Sequence, residues 1–382
     1  MKKVGILSMQ RIFNYGSFLQ AYGLKSILEE LGCGVEFVDY HPGKCLMPAD
    51  EGAGFKRKIF KAIDVFKYDA PLTEKLKFIK YKKNYAKNYY PYLGIDEKMN
   101  YKPSLDLLVI GSDEVFNCVQ NNTNVGFSPE LFGEGNNAKR VITYAACFGN
   151  TTIDKLEKYN VKNLVEKWLV KMDAISVRDY NSGKVVKELT KRDPIYNLDP
   201  VLVYDFVNKC KDIPLDIKES NYIILYGYSG RFTKEECEKI SKYANGENLK
   251  IYCIGGIQHC CDKFIDCNPF EVIAYFKNAN CIITDTFHGT ILSIITHKKF
   301  ATIVRSEGYG NSEKLIDLLE RLQLKKQIIN NLNELAIILS ASIDYDTTDK
   351  IIEFQRNWTY NYLKEQISLI NEVKYNLSNE VY

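Results

Sequence analysis

Short apolar runs alternate along this chain with segments in which apolar residues recur every three or four positions. Residues 3–9 form a strand-like run, residues 14–32 carry helical spacing, and residues 35–40 form a second apolar run. A strand, a helix and a strand of this length predict two parallel strands joined by a right-handed crossover. The chain therefore opens as an α/β fold.

The same alternation resumes after residue 104 and again after residue 221. Further strands are predicted at 105–112, 140–147, 174–177, 222–228, 250–256, 281–284 and 300–304. A linker is predicted at 212–221, where a proline and several charges occur together. We therefore predict an N-terminal α/β domain over 1–211, a C-terminal α/β domain over 212–348, and a helical tail over 349–382 that packs back on the first domain.

Residues 41–104 interrupt this alternation as a helical insertion with a basic surface. Residues 55–83 contain ten Lys or Arg against three acids. A solvated, lysine-rich face of surface helices explains this composition. The alternative is an amphipathic surface that meets anionic lipid or a lipid-linked diphosphate. The second alternative would hold a cytoplasmic protein at the inner face of a membrane.

The overall composition is typical of a globular protein, since 46% of the residues are apolar and 26% are charged. Lys and Arg number 51 against 48 Asp and Glu, so the net charge of +3 predicts no nucleic-acid partner. The N-terminal residues lack the pattern of a secretory signal, and no apolar stretch is long enough to span a membrane. With 11 scattered cysteines, these features predict reduced thiols and a cytoplasmic protein.

The cluster of His259, Cys260 and Cys261, with Cys267 nearby, is poorly spaced for one tetrahedral ion, so no metal site is predicted.

Parallel α/β domains bind ligands beyond the carboxyl ends of their strands and in the cleft between domains. His288, one of only four histidines, falls where a predicted strand turns into a helix. Asp285 precedes it, and such a carboxylate can hold an imidazole in one tautomer and raise its pKa, which suits a general acid. Thr286 and Thr290 add hydroxyls, and Gly289 permits a close backbone approach. A purely structural hydrogen-bonding role for the ring is the alternative.

The loop after the first strand carries a second group of candidates. A helix begins at Gly16 and Ser17, and its free N–H groups and dipole favour an anion. Asn14, Tyr15 and Gln20 add polar groups. The spacing matches neither a GxGxxG dinucleotide fingerprint nor a Walker phosphate-binding loop, so neither NAD nor ATP is indicated. A capped turn without a ligand is the alternative.

Ser112, Asp113 and Glu114 follow the third clear strand. The two carboxylates can act as a base or bind sugar hydroxyls. Alternatively, Ser112 or Asp113 caps the next helix.

Arg178 ends a later strand. A guanidinium there can grip a carboxylate or a phosphate in a fork. A salt bridge with Asp179 or Asp199 is the alternative.

Seven blocks of the chain resemble the polysaccharide pyruvyl transferase family, in that family's order, over roughly residues 3–325. The blocks are NYGSFLQAYGL, DLLVIGSDEVFN, ITYAACFG, ISVRDYNS, LDPVL, TDTFHGT and GNSEKLIDLL. The resemblance implies two Rossmann-like domains facing a cleft, as in glycosyltransferase-B enzymes, with the acceptor on the N-terminal side and the donor on the C-terminal side. It also implies transfer of a pyruvyl group from phosphoenolpyruvate onto two hydroxyls of one sugar, which forms a cyclic ketal.

The resemblance further implies the partners. The co-substrate is phosphoenolpyruvate, and no metal or organic cofactor is expected. The acceptor is a saccharide of a capsule, exopolysaccharide or wall polymer, which a polyprenyl diphosphate can carry.

Roles carry over to the matching positions. His288 is the general acid, and Asp113 or Glu114 orients or deprotonates the sugar hydroxyls, with Asp285 orienting the imidazole. The expected donor-binding residues are Arg178, Thr286, Gly289, Thr290 and Arg305. The expected acceptor-binding or anion-binding residues are Asn14, Tyr15, Gly16, Ser17, Gln20 and Ser112.

Two positions depart from the family pattern. Some members carry an arginine two residues before the histidine, where this chain has Thr286, so donor binding would move to Arg305 or Arg231. A block that commonly reads GSDQVW has Glu114 and Phe116 here, so the sugar contacts would differ. Two other functions therefore stay open: a glycosyltransferase that uses a nucleotide sugar, and a non-catalytic saccharide-binding relative.

Overall fold

The computed structural model of the protein describes residues 1–47, 64–214, 217–305 and 312–370. These residues form two six-stranded sheets with helices on both faces. The strands of the first sheet are β1 (Lys3–Leu7), β2 (Gly34–Phe37), β3 (Ser104–Asp113), β4 (Asn137–Ala146), β5 (Ser176–Val177) and β6 (Ile195–Tyr196). The strands of the second sheet are β7 (Tyr222–Tyr226), β8 (Lys250–Ile254), β9 (Lys263–Phe264), β10 (Cys281–Thr284), β11 (Phe300–Ile303) and β12 (Ile328–Ile329).

The helices follow the strands as a crossover topology requires. They are α1 (Tyr15–Glu30), α2 (Leu72–Leu93), α3 (Ile153–Lys158), α4 (Lys162–Val170), α5 (Tyr180–Thr190), α6 (Pro200–Val203), α7 (Phe206–Lys209), α8 (Lys234–Gly246), α9 (Pro269–Asn278), α10 (Phe287–Ile295), α11 (Ser312–Arg321), α12 (Leu335–Ser340) and α13 (Tyr345–Ser368). Single 3-10 turns occur at Asp64–Lys67, Pro129–Phe132, Lys325–Gln327 and Leu332–Glu334.

All the pairs of neighbouring strands in both sheets are parallel. The strand order is β2-β1-β3-β4-β5-β6 in the first sheet and β12-β11-β10-β7-β8-β9 in the second. This confirms the predicted fold class, two Rossmann-like α/β domains. The domain boundaries at 211 and 348 stay predictions.

The strand order locates the place where a ligand binds. The direction of chain progression reverses between β1 and β3 in the first sheet and between β7 and β10 in the second. Loops that leave two such neighbouring strands turn to opposite faces of the sheet, which opens a crevice beyond their carboxyl ends. Both crevices are therefore expected to border the same interdomain site.

Helix α2, within the predicted basic insertion, joins the two domains. Its buried face is built from tyrosines, among them Tyr85 and Tyr89. The hydroxyl of Tyr89 and that of Tyr15 each donate to the carbonyl oxygen of Cys267 at 2.8 Å. Each such neutral hydrogen bond stabilises the fold by about 1 kcal/mol. Of the predicted basic surface at 55–83, residues 55–63 lie outside the described residues.

Helix α13 packs back against the N-terminal sheet. The hydroxyl of Tyr362 donates to the carbonyl of Thr143 at 2.8 Å, and Thr359 donates to the Asn197 side chain at 3.1 Å. This confirms the returning C-terminal helix that the fold class included, whereas residues 371–382 of the predicted tail lie outside the described part of the chain. Across the described ranges, every helix is too short or too polar to cross a bilayer.

Candidate active site

A cavity of about 290 Å³ lies between the domains, beyond the carboxyl ends of the strands that flank both crevices. The N-terminal domain lines it with polar residues that include Asn14, Tyr15, Ser17, Asp113, Glu114, Gln120, Asn122 and Arg178. The C-terminal domain lines it with Tyr228, Arg231, Thr286, Phe287, His288 and Lys314, among others. The amino-terminal ends of α1 and α10 both face this cavity, and helix N-termini favour anions.

His288 lies in the first turn of α10. Thr286 begins this helix as its N-cap, because its Oγ1 accepts a hydrogen bond from the Gly289 N–H at 3.0 Å. The side chain of His288 is 13% exposed, and its Nε2 is 3.6 Å from Oδ2 of Asp199. Within the described part of the chain, this buried nitrogen has no hydrogen-bond partner. His288 itself lines the cavity, and its Nε2 faces the Asp199 carboxylate.

Gly16 makes room for that ring. A methyl group at this position would come within 2.7 Å of the Cβ of His288 and closer still to the ring atoms Cγ and Nδ1. The predicted anion-binding glycine thus has a packing role: the backbone of α1 passes directly against the imidazole.

Asp199 is the carboxylate nearest the imidazole, and it comes from the N-terminal domain. It caps α6 through Oδ1, which accepts from the N–H of Val201 at 3.0 Å. Its Oδ2 accepts from Arg178 at 2.8 Å and from the Ser112 hydroxyl at 3.1 Å. Burial by itself would raise the pKa of Asp199, but His288 and Arg178 hold that pKa far below its ordinary value. Asp199 therefore carries a negative charge beside the ring.

Arg178 connects this carboxylate to the loop after β3. It donates to Asp199 and, at 3.3 Å, to Oδ1 of Asp113. Its guanidinium carbon lies 4.3 Å from the centre of the Phe287 ring. Burial opposes its charge, yet the acidic groups around it raise the pKa of Arg178. The predicted salt bridge with Asp199 is present, and Arg178 lines the cavity as well.

Asp113 and Glu114 occupy different environments. Asp113 sits in the left-handed backbone region, with φ of +73°, and its Oδ2 accepts from the Ser17 hydroxyl at 2.9 Å. Glu114 forms an ion pair with Lys314 and accepts from Asn117 at 2.7 Å. Burial would raise the pKa of Glu114, but the lysine holds it at about 2. Glu114 is therefore ionised and a poor proton acceptor at neutral pH.

Asp285 does not pair with the imidazole as expected from the sequence. Its Oδ2 accepts from Arg231 at 2.5 Å and from Arg305 at 3.1 Å. Burial raises the pKa of Asp285 in spite of these two arginines. Arg305 lies behind Asp285, where it also pairs with Glu236 and donates to the carbonyl of Arg231 at 3.0 Å. Asp285 and the imidazole do not meet because the turn after β10 directs Asp285 into the C-terminal domain and His288 toward the cleft.

Several predicted site residues support the loops from within. The hydroxyl of Tyr15 is occupied by Cys267, as described above, and the Gln20 amide donates to Ser8 at 2.9 Å. Thr290 bonds to the Thr286 carbonyl at 3.0 Å. A methyl group on Gly289 would lie 2.7 Å from Thr286 Oγ1, so this glycine allows α10 to pack closely on β10. Asn14 caps α1 by accepting from the Ser17 N–H at 2.7 Å.

The cavity residues that were not among the predicted site residues include Lys314, Tyr228, Gln120 and Asn122. Tyr228 follows β7, so the rule that ligands bind beyond strand ends would have found it. Lys314 lies in the GNSEKLIDLL block, but only the packing of α11 against the cleft brings it to the cavity.

His259, which belongs to the histidine and cysteine cluster for which no metal site was predicted, has its Nδ1 3.0 Å from Oδ2 of Asp69.

A sequence model of the family described as Polysaccharide pyruvyl transferase matches residues 14–307. The chain belongs to this family, which confirms the resemblance seen in the seven blocks. None of the curated proteins compared with the chain matches it.

The chain is also similar to solved structures at low identity. The chain is similar to the S. aureus MnaA–UDP co-structure, at 11% identity over 97% of this chain and 98% of the other, with a TM-score of 0.49. It is similar to a putative UDP-N-acetylglucosamine 2-epimerase from Listeria monocytogenes, at 10% identity over 96% of each chain, with a TM-score of 0.48. It is also similar to a mutant Thermobaculum terrenum O-GlcNAc transferase, at 12% identity and a TM-score of 0.42, covering 98% of this chain but only 66% of that one.

Proposed function

We propose that this protein transfers the pyruvyl group of phosphoenolpyruvate onto two hydroxyls of one sugar in a polysaccharide precursor, with His288 as the general acid. The observation that carries the proposal is the position of His288, which lines the interdomain cavity and has its imidazole Nε2 3.6 Å from the ionised Asp199. Membership in the pyruvyl transferase family supports the class of reaction.

The reaction begins at the methylene carbon of the donor. A protonated His288 gives a proton to that carbon, which becomes a methyl group, and positive charge develops on the neighbouring carbon. A first sugar hydroxyl adds there and loses its proton, and phosphate leaves with the pair of electrons of its C–O bond. A second hydroxyl then adds, loses its proton and closes the ketal. One of the two released protons restores His288 and the other leaves with phosphate, so none of these steps calls for a metal or an organic cofactor.

Asp199 supplies the electrostatics for the first step. An ionised carboxylate 3.6 Å from Nε2 stabilises the imidazolium before the proton is given away. Arg178, held by Asp199 and Asp113, supplies a cation for the donor's carboxylate or phosphate. Fixed charges of this kind need no reorganisation when charge develops in the transition state.

Asp113 is the better of the two carboxylates for handling sugar hydroxyls. Glu114 is held ionised by Lys314, with its pKa at about 2. Asp113 already accepts a hydroxyl hydrogen bond from Ser17 at 2.9 Å, which is the kind of contact that a sugar hydroxyl would make. The amides of Gln120 and Asn122 and the half-exposed Tyr228 line the rest of the cavity as groups suited to a neutral sugar.

A lipid-linked acceptor at the inner face of a membrane completes the proposal. Its support is a stripe on α2 at helical spacing, in which Leu72, Leu76, Lys80, Lys83 and Lys87 are all exposed. Apolar residues beside lysines favour an anionic lipid surface.

The test has a binding arm and a turnover arm. Purified protein is heated with phosphoenolpyruvate, UDP-N-acetylglucosamine or GDP-mannose, since a ligand at 100 times its Kd stabilises the fold by about 2.7 kcal/mol. Phosphate release from phosphoenolpyruvate is then measured with hexosides that present free 4,6 or 3,4 hydroxyl pairs. His288→Ala should abolish release, whereas His297→Ala, at an exposed histidine, should not.

Each outcome has a clear meaning. A shift with phosphoenolpyruvate and phosphate release that needs His288 support pyruvyl transfer. A shift with a nucleotide sugar alone would replace the proposal by a glycosyltransferase. Binding of saccharide without any phosphate release would make the protein a non-catalytic saccharide-binding relative.

A further inference from the structure

We infer that Lys314 is the second cation of the donor site and that it grips phosphoenolpyruvate together with Arg178. This inference rests on the proposed function and goes beyond it, because it assigns the donor's second anionic group to a residue of the C-terminal domain. The sequence pattern gave Lys314 no role.

The first support is the position of Lys314. The residue is 7% exposed and lines the interdomain cavity together with His288 and Arg178. Its Nζ lies 5.8 Å from the centre of the Phe287 ring, the same ring that Arg178 approaches at 4.3 Å. Phe287 is the residue directly before His288. Two cations from different domains therefore converge on the residue next to the proposed acid.

The second support is the number of charges on the donor. Phosphoenolpyruvate carries a carboxylate and a phosphate, and each end needs a cation once water is excluded. Arg178 lines the cavity but is bonded to two carboxylates. Arg231 and Arg305 are both held by Asp285, and Arg305 lies behind it. Lys314 has one ionic partner among the described residues, Glu114, and Glu114 also lines the cavity. None of the other cavity cations that the structure describes has this arrangement.

The chemistry of lysine fits the task. A buried ammonium is costly unless it is paired, and Glu114 provides that pair. An ammonium has three N–H donors, so it can keep Glu114 and still donate to a donor oxygen. Its four-carbon stem also lets the charge move by a small distance when the ligand enters.

The arrangement couples donor binding to the contact between domains. Lys314 belongs to α11, and Arg321 of the same helix donates to the backbone carbonyl of Arg178 at 2.8 Å. Glu114 and Arg178 belong to the N-terminal domain. A donor held by Lys314 and Arg178 would thus bridge the two domains and add to the contacts that α11 already makes.

The experiment measures donor binding without turnover. Titration calorimetry with phosphoenolpyruvate is performed on the wild type, Lys314→Met and Lys314→Arg. Loss of one charge-assisted hydrogen bond predicts that Lys314→Met weakens binding by about tenfold or more, while Lys314→Arg keeps most of the affinity. The KM for an acceptor sugar should change little. Lys325→Met, which removes an exposed lysine paired with Glu320, is the matched control and should bind like the wild type.

A second variant covers the risk that Lys314→Met leaves Glu114 unpaired and misfolds. Glu114→Gln with Lys314→Met removes both charges of the pair, so no buried charge is left alone, and it should also bind the donor weakly. Wild-type affinity in the folded single or double variant would overturn the inference while leaving pyruvyl transfer intact. A wild type that neither binds nor consumes phosphoenolpyruvate would overturn the proposed function, and this inference with it.

Discussion

The imidazole Nε2 of His288 lies 3.6 Å from Oδ2 of Asp199, although the two residues belong to different domains and are far apart in the chain. The same oxygen accepts hydrogen bonds from Arg178 and Ser112. One buried carboxylate therefore holds the proposed acid, a donor-binding cation and the loop after β3 in a single network. The domains meet through the groups that would carry out the reaction.

Asp199→Asn tests this network. Without the carboxylate the ring loses the fixed negative charge beside its Nε2, so proton transfer from His288 should slow. We also expect kcat to drop by about tenfold or more and the KM for phosphoenolpyruvate to rise, since Arg178 loses a partner. The measurement is the rate of phosphate release at a series of phosphoenolpyruvate concentrations. Asp349→Asn, beside the exposed His297, is the control, and wild-type kcat and KM in Asp199→Asn would exclude Asp199 as the orienting group.

Gly16→Ala tests the packing of α1 on the imidazole. The added methyl group would overlap the His288 ring, so the ring must move and turnover should fall at least tenfold. Gly246→Ala is a matched control, because a methyl group there meets nothing within 4 Å and Gly246 also lies in a helix. We expect the control to keep its activity and to be slightly more stable. Equal activity of the two variants would show that the ring has room to shift.

Asp285→Asn tests whether Asp285, just before α10, stabilises the fold through its ion pairs. Asp285 is buried between Arg231 and Arg305, and removing its charge leaves two largely buried guanidiniums without it. Breaking such a buried pair costs about 3 kcal/mol, which urea denaturation would register as a lower midpoint. Asp193→Asn, in an exposed pair with Lys187, should change stability by less than about 0.5 kcal/mol. A midpoint equal to that of the wild type would mean that solvent replaces the carboxylate.

Asp317→Asn should make the protein more stable above neutral pH. Burial, with Asp179 nearby, raises the pKa of Asp317 to about 6 from its ordinary 3.8. A carboxyl whose pKa is raised on folding contributes stability below the unfolded value, and that contribution is lost as the pH rises through about 6. The variant should therefore gain roughly 2 to 3 kcal/mol over the wild type at pH 7, at about 1.4 kcal/mol for each pKa unit. The difference should vanish near pH 4, and a constant difference from pH 4 to pH 7 would contradict the shift.

Much of the fold could be predicted because its signals are local. The apolar runs of β1, β3, β7 and β10 mark strands that are covered on both faces. Asn14 and Thr286 are residue types that cap helices, and each does so in the structure. Where a helix connects two strands of a sheet, the strands run parallel, and the loops that leave their carboxyl ends lie at one edge of that sheet.

The composition of the site was also accessible from the sequence, whereas its pairings were not. His288, Asp113, Glu114 and Arg178 all line the cavity, as expected for residues at the ends of parallel strands. Asp285 was expected to hold the imidazole because it is three residues away. Asp199 lies beside the ring in its place, and nearness in the chain is no guide once a turn sends two side chains in different directions.

The sequence by itself determined the two parallel sheets, the helices between them and the loops that carry polar groups, because strand and helix periodicity and capping act over a few residues. Tertiary structure alone decided that Asp199 and Lys314 join these loops, that Gly16 lies against His288, and that the tyrosines of α2 tie the domains together. These contacts depend on how the two sheets meet. They are stabilised by burial, hydrogen bonds or charge pairs across the cleft, which leave no periodic trace in either partner's sequence.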